Sequence, residues 1–340
     1  MLQNDKIPVA IIGASGYTGL ELIKILLNHP HFFVTVIAAS EEGGTVDEIH
    51  PSLNALCDIK VTKADAKEIA KNAKLAFLAL PHKTAMGFAK ELLDLGVKVV
   101  DLSADYRLEL ETYEKFYCLH EDKDHLKEAV YGLPEFYKKD IKKSSLVANP
   151  GCYPTASLLG LLPFGDFIDE NYPVFIDAKS GVSGAGKKCS QNTHFVTINE
   201  NIFSYNPLLH RHSPEIAEKL LKIIKKDFEI NFVPHLLPVS RGMLVSVYCV
   251  LKEEIEPLKY LEDFYKDEKF IRIRKNPVDI KSTAGTNFCD IFAKRNKKSL
   301  FISSSIDNLL RGASSQAVVN ANLMCGFEEE VGIPVLAYVP

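Results

Sequence analysis

A short apolar strand, Val9 to Ile12, runs straight into Gly13-Ala14-Ser15-Gly16-Tyr17-Thr18-Gly19 and then into a helical pattern. Leu20, Ile23, Leu26 and Leu27 lie on one face of that helix, which must end before Pro30. Phe33 to Ala39 follows as a second strand, with Leu75 to Leu80 and Val97 to Leu102 as further strands around a helix from Thr84 to Leu95. Alternating strand and helix with continuously apolar strands predicts a parallel sheet covered on both faces.

Glycines at a strand-to-helix turn let bare backbone approach a pyrophosphate while the helix N-terminus faces its charge. The spacing G-x-x-G-x-x-G departs from the strict dinucleotide fingerprint, so position carries the reading more than pattern. Tight helix–sheet packing alone would also use such glycines. The second strand ends Ala38-Ala39-Ser40-Glu41-Glu42. Ser40 can hydrogen-bond a 2′-phosphate, whereas an inward carboxylate would repel one. NADP is preferred over NAD on that balance.

Asn149-Pro150-Gly151-Cys152-Tyr153-Pro154-Thr155 sets a cysteine on a tight turn before the apolar run Ala156, Leu158, Leu159, Leu161 and Leu162. Pro154 suits the first turn of a helix. A thiol there feels the positive end of the helix dipole, which favours the nucleophilic thiolate. The alternative is a buried structural cysteine. All seven cysteines lack metal spacing or a CxxC pair, which predicts reduced thiols, a cytoplasmic protein and no metal site. A net charge of -4 argues against nucleic acid as a partner, and no apolar stretch is long enough to span a bilayer.

Beyond Cys152 the alternation stops. Val174 to Ala178, Phe195 to Ile198, Leu244 to Leu251, Phe270 to Arg274 and Leu300 to Ser303 read as strands, with an amphipathic helix from Pro214 to Phe228. At 340 residues, two domains are expected. The first is an α/β Rossmann dinucleotide-binding domain over residues 1–148. The second is an α+β domain with a largely antiparallel sheet over 149–307. A last helix from Asn308 to Met324 returns residues 308–340 to the cofactor domain. Cys152 is then expected at the interdomain cleft, a common place for ligands.

His210-Arg211-His212-Ser213-Pro214-Glu215 leads into that amphipathic helix, with Ser213 the expected N-cap, and one of the histidines is a candidate general acid/base. Surface exposure is the alternative for at least one of them. Ser180-Gly181-Val182-Ser183-Gly184-Ala185-Gly186-Lys187 is a second glycine-rich loop able to approach cofactor or substrate closely. Arg107 follows the carboxyl end of a parallel strand, and Arg241 lies in Pro238-Val239-Ser240-Arg241-Gly242; either guanidinium suits a phosphate or carboxylate.

Together, GASGYTGLE (13–21), DLSADYR (101–107), NPGCYPT (149–155), SGVSGAGK (180–187), HRHSPEI (210–216), HLLPVSRGM (235–243), GTNFCDI (285–291) and IDNLLRG (306–312) resemble the N-acetyl-gamma-glutamyl-phosphate reductase family of arginine biosynthesis. The motifs run across essentially the whole chain. The resemblance implies an aspartate-semialdehyde-dehydrogenase-like fold, NADPH as cofactor, an acyl phosphate as small-molecule substrate, and a dimer or tetramer. It implies that Cys152 forms a thioester, that hydride then gives the semialdehyde, and that His210 (or His212) is the acid/base. Gly13, Ser15, Gly16, Tyr17, Thr18, Gly19, Ser40, Ser180, Gly181, Asn308 and Gly312 are the implied cofactor residues. Arg107, Ser183, Gly184 and Arg241 are the implied substrate residues. Many relatives carry arginine where Glu41 stands here. The alternatives are a reductase of an aspartyl or carrier-bound acyl phosphate, and a nucleotide-sensing protein without catalysis.

Overall fold

The computed structural model describes residues 6–338, which divide into two compact units. One runs through Pro150 and takes up Ala313–Pro334 again; the other holds Gly151–Gly312 and the segment from Val335.

In the first unit, β1 (Ile7–Ile12), β2 (Phe32–Ala39), β3 (Val61–Lys63), β4 (Leu75–Leu78), β5 (Lys98–Asp101), β6 (Val130–Tyr131) and β7 (Leu146–Ala148) form a sheet. Their order is β3-β2-β1-β4-β5-β7-β6, and each pairing is parallel. Val9 to Ile12 and Leu75 to Leu78 are fully buried, as strands covered on both faces must be. The strand order reverses between β1 and β4, the point where α/β sheets open a crevice at their carboxyl ends. The glycine turn, followed by the helix Tyr17–Leu27, lies at the end of β1 and so at that point. Helix Ser314–Met324 packs on Tyr17–Leu27 and is buried at every position. Its polar residues are accommodated by the backbone: Gln316 and Asn320 both donate to the Gly132 carbonyl, at 2.7 and 3.0 Å.

The second unit is built on β8 (Val174–Gly181), β9 (Phe203–Ser204), β10 (Ile230–Leu237), β11 (Met243–Val250), β12 (Ile271–Ile273), β13 (Cys289–Asn296) and β14 (Ser299–Ile306). They lie in the order β12-β13-β14-β11-β8-β10-β9. The sheet is mixed: β8 and β10, and β12 and β13, run parallel, and the other neighbours run antiparallel. Helix Cys152–Leu161 lies on one face, where Ser304 Oγ donates to the Ala156 carbonyl at 2.7 Å. By alternation, Phe301 then points to the opposite face.

Several sequence expectations are corrected. Phe195–Ile198 is a single helical turn, not a strand, with Phe195 and Val196 largely exposed; four apolar residues carry no period that separates the two. The amphipathic helix spans His212–Ile224 and is capped by Arg211, so Ser213 lies inside it. It stops at Lys225, which takes a left-handed conformation (φ 62°). The last helix begins at Ser314, and Asn308–Gly312 stays with the second unit. Among the described residues no helix is long and apolar enough to cross a membrane.

Candidate active site

Helix Cys152–Leu161 starts on the cysteine itself, with Gly151 as its extended N-cap (φ −67°, ψ 155°). The half-buried thiol therefore sits in the first turn, where unpaired N–H groups and the helix dipole favour an anion. Thr155 fastens the turn by donating its N–H and its hydroxyl to the Gly151 carbonyl, both at 2.9 Å. A Cβ at Gly312 would lie 2.7 Å from the Cys152 Cβ and 2.6 Å from the Asn308 carbonyl oxygen. No side chain fits there, so the turn after β14 lies directly against the base of the thiol.

Asn308 ties this turn to two loops. Its Oδ1 accepts the Gly242 N–H at 2.7 Å and its Nδ2 donates to Ser183 Oγ at 3.0 Å. The two loops are themselves laddered through Gly181 N–H to the Gly242 carbonyl and Ser183 N–H to the Ser240 carbonyl. A Cβ at Gly181 would meet the Arg241 backbone at 2.8 Å, and one at Gly184 would meet Ser180 Oγ at 2.8 Å. Ser180, Gly181, Ser183, Gly184, Arg241, Asn308 and Gly312 thus form one neighbourhood beside Cys152.

Arg241 is held by the fully buried Asp307, Nε to Oδ2 at 2.8 Å and Nη2 to Oδ1 at 3.1 Å. Asp307 also accepts the N–H groups of Gly285, Leu309 and Leu310, which fixes the guanidinium relative to the turn. A bidentate pair of this kind orients an arginine as well as neutralising it.

The histidines pack on the residue after Cys152. The ring of Tyr153 lies 5.7 Å from that of His210 and 5.8 Å from that of His212, edge to face. Tyr205 donates to Tyr153 Oη at 3.0 Å, and Tyr153 donates to the His235 carbonyl at 3.2 Å. Burial pushes both phenols above their ordinary range, so they remain protonated donors. His210 Nδ1 accepts the His212 N–H at 3.1 Å, which leaves the proton of its neutral ring on Nε2. Burial, with a smaller contribution from Arg211, pushes His210 down to about 4. Glu215, in the first turn of the same helix, is buried and accepts the Gly151 N–H at 3.1 Å.

The first unit holds the other candidates. Gly13 has φ +94°, and a Cβ there would lie 2.2 Å from the Ala79 carbonyl oxygen; one at Gly19 would lie 2.5 Å from that of Gly13. These two glycines serve close packing. Gly16 is different: it caps helix Tyr17–Leu27 with no side-chain bond, and a Cβ there would meet only the Gly13 oxygen, at 3.8 Å. An open, bare helix N-terminus between Ser15 and Thr18 is a cradle that fits a pyrophosphate. His50 supports it from below, its Nε2 donating to the Ala14 carbonyl at 2.8 Å. At the end of β2, Ser40 and Glu41 are exposed, and Glu42 pairs with Lys60 at 2.5 Å. Arg107 is buried, with Nε donating to the Asn149 carbonyl and Nη2 to the Leu102 carbonyl, both at 2.7 Å. It orders the backbone leading to Pro150.

Sequence reasoning passed over Glu215, Tyr153, Tyr205, Asp307 and His50. Only Glu215 carried a local signal, as an acidic residue one position after a proline at a helix start, and that reads equally as a solvated first-turn charge.

Two family models match the chain: "Semialdehyde dehydrogenase, NAD binding domain" over residues 8–144, and "Semialdehyde dehydrogenase, dimerisation domain" over 152–308. The N-acetyl-gamma-glutamyl-phosphate reductase of Sulfurovum sp. (strain NBC37-1) is 60% identical over 334 residues, covering 98% of this chain and 100% of the relative. That of Sulfurimonas denitrificans is 59% identical over 335 residues, covering 98% and 99%. Among solved structures, aspartate semialdehyde dehydrogenase with NADP from Candida albicans superposes with a TM-score of 0.72 at 14% identity, covering 96% of this chain and 99% of that one. That likeness is one of fold.

Proposed function

The chain belongs to the N-acetyl-gamma-glutamyl-phosphate reductase family, and from that membership we propose that it reduces N-acetyl-L-glutamyl 5-phosphate to N-acetyl-L-glutamate 5-semialdehyde with NADPH through a Cys152 thioester. The observation that carries this reading is the seat of Cys152 at the first position of its helix, with Gly312 against its Cβ and two histidine rings on the neighbouring Tyr153.

The thiolate attacks the acyl carbon; the carbon–oxygen bond to phosphate breaks and phosphate leaves with the electron pair. First-turn N–H groups of helix Cys152–Leu161 stabilise the oxyanion that forms on the way. The nicotinamide, when bound, would supply a hydride to the thioester carbon, and a protonated histidine of the pair gives its proton to the oxygen, completing a thiohemiacetal. A histidine then takes the hydroxyl proton as the carbon–sulfur bond breaks, releasing the aldehyde and restoring the thiolate. His212 suits this proton transfer better than His210, whose Nδ1 is occupied by a backbone N–H and whose ring resists a second proton. A thioester keeps the acyl group activated between the two halves of the reaction.

Ser15, Gly16, Tyr17 and Thr18 would hold the pyrophosphate, with Gly13 and Gly19 acting through the tight packing that shapes the turn, and Ser40 the 2′-phosphate; the family model for a NAD binding domain supports a nicotinamide cofactor. Ser180, Gly181, Asn308 and Gly312 would line the nicotinamide. Ser183, Gly184, Arg241 and Arg107 would hold the substrate, with Arg107 acting by ordering Asn149.

The dimerisation-domain match supports a homo-oligomer. Phe175, Tyr248 and Phe301 are register partners across β8, β11 and β14, on the sheet face away from helix Cys152–Leu161. Tyr248 and Phe175 remain about half exposed (47% and 50%). This aromatic row is the surface a second copy would cover. The reading places the reaction in the cytoplasm, a reducing setting in which a reactive thiol such as Cys152 stays reduced.

The test is the reverse reaction: phosphate-dependent reduction of NADP by the enzyme with N-acetylglutamate semialdehyde, against aspartate semialdehyde. Turnover of the aspartyl compound alone would favour the other acyl-phosphate reductase, and binding of cofactor without turnover of either would favour a nucleotide sensor.

A further inference from the structure

We infer that Glu215 is a positioning residue that fixes the nucleophile turn to the histidine-bearing helix. Its buried carboxylate accepts the N–H of Gly151, the residue that caps the helix beginning at Cys152. Its own backbone belongs to the first turn of helix His212–Ile224, three residues after His212 and next to Pro214. One hydrogen bond of 3.1 Å therefore joins the two helix starts that carry the candidate nucleophile and the candidate acid/base. An acidic side chain in the first turn of a helix more often faces solvent; here it is drawn inward and buried.

The bond has two consequences. It sets the direction of the Pro150–Gly151 peptide, the peptide that leads into the thiol-bearing turn, and so where the thiol points relative to the His212 ring. It also occupies the Gly151 N–H. Pro154 has no N–H, so oxyanion stabilisation at this helix start falls to the peptides of Cys152 and Tyr153. A misplacement of the nucleophile by about 1 Å is enough to cost roughly 10²-fold in rate without weakening ground-state binding.

Three substitutions separate reach from charge. Glu215→Gln keeps an acceptor oxygen at the same reach. Glu215→Asp keeps the charge and withdraws it by one methylene. Glu215→Ala removes both. For each, kcat, KM for the acyl phosphate and the Kd of NADPH would be measured. The pH dependence of iodoacetamide modification at Cys152 would be read by peptide mass spectrometry. The inference rests on the proposed reaction only through kcat; the thiol readout does not need it.

Glu215→Ala and Glu215→Asp are expected to lose roughly 10²-fold in kcat with KM and Kd within about twofold, and Glu215→Gln to recover most of that loss. The midpoint of thiol modification is expected to move to lower pH in Glu215→Gln, because a neighbouring carboxylate opposes thiolate formation. Equal kcat for the Gln and Asp variants, or an unmoved midpoint in Glu215→Gln, overturns the inference. If Glu215→Ala does not fold, the Gln-against-Asp contrast decides. If wild type turns over no acyl phosphate, the proposed reaction fails, and the thiol midpoint alone decides for or against Glu215.

Discussion

Gly312 presses its Cα against Cys152 so closely that a methyl group at 312 would lie 2.7 Å from the cysteine Cβ. The same methyl would lie 2.6 Å from the Asn308 carbonyl oxygen, a backbone atom that cannot swing away. Gly312→Ala should therefore destabilise the protein by about 1–3 kcal/mol through overpacking. It should also lower kcat by roughly tenfold or more, as displacement of the thiol does. Denaturant melts and steady-state kinetics on the one variant check both.

His210 and His212 should respond differently to substitution. His212→Asn is expected to lose roughly 10² to 10⁴-fold in kcat, the range for removing a general acid/base. His210→Asn retains an acceptor for the His212 N–H and should lose far less. With His210 held down at about 4, it stays neutral through the physiological range and contributes no ionisation there to the pH–rate profile. Side-by-side kcat values for the two variants are the check, and the reverse ranking would return the acid/base role to His210.

The cofactor choice turns on the end of β2. Glu42 is already paired with Lys60, so the carboxylate that would oppose a bound 2′-phosphate is that of the exposed Glu41. Glu41→Arg should strengthen NADPH binding and leave NADH binding little changed, an effect that shrinks with added salt. Lys60→Ala, which releases Glu42, should weaken NADPH binding. Titration of each variant with both cofactors at two ionic strengths reads this out.

His29 should make the first unit sensitive to acid. Burial pushes its ring down to about 4, while Nε2 donates to the Val331 carbonyl and Nδ1 accepts the Phe32 N–H. The unfolded chain, with its histidine near 6.5, binds a proton that the folded chain refuses. The contribution of His29 is thus complete above about 6.5 and lost as pH falls toward about 4. Asp101, raised to about 7 by burial and by Asp105, acts in the opposite sense. The slope is therefore read as a difference: stability of wild type minus that of His29→Asn should fall between pH 6.5 and 4. A flat difference contradicts it.

Much of the architecture was written in local signals. The glycine turn after Val9–Ile12 and the Pro150-Gly151 turn before Cys152 each announce a change of element, because glycine and proline restrict backbone geometry by themselves. β10 was not legible: Pro234 and His235 interrupt its apolar run, and the proline is tolerated because neighbouring β9 is only two residues long. The candidate site was legible as motifs but not as contacts. Nothing in the sequence says that Glu215 turns inward to Gly151, that Asp307 holds Arg241, or that Tyr205 reaches Tyr153. Those pairings join residues 64, 66 and 52 positions apart and arise only when the chain folds.

The central claim is a covalent acyl group on Cys152. Wild-type enzyme mixed with N-acetylglutamyl phosphate in the absence of reductant, quenched in acid and digested, should yield the peptide around Tyr153 carrying an N-acetylglutamyl group on Cys152. The Cys152→Ser variant should carry none, while still binding NADPH. A wild-type enzyme that turns over the substrate yet shows no acylated Cys152 under these conditions, or a Cys152→Ser variant with near-normal kcat, would contradict the account.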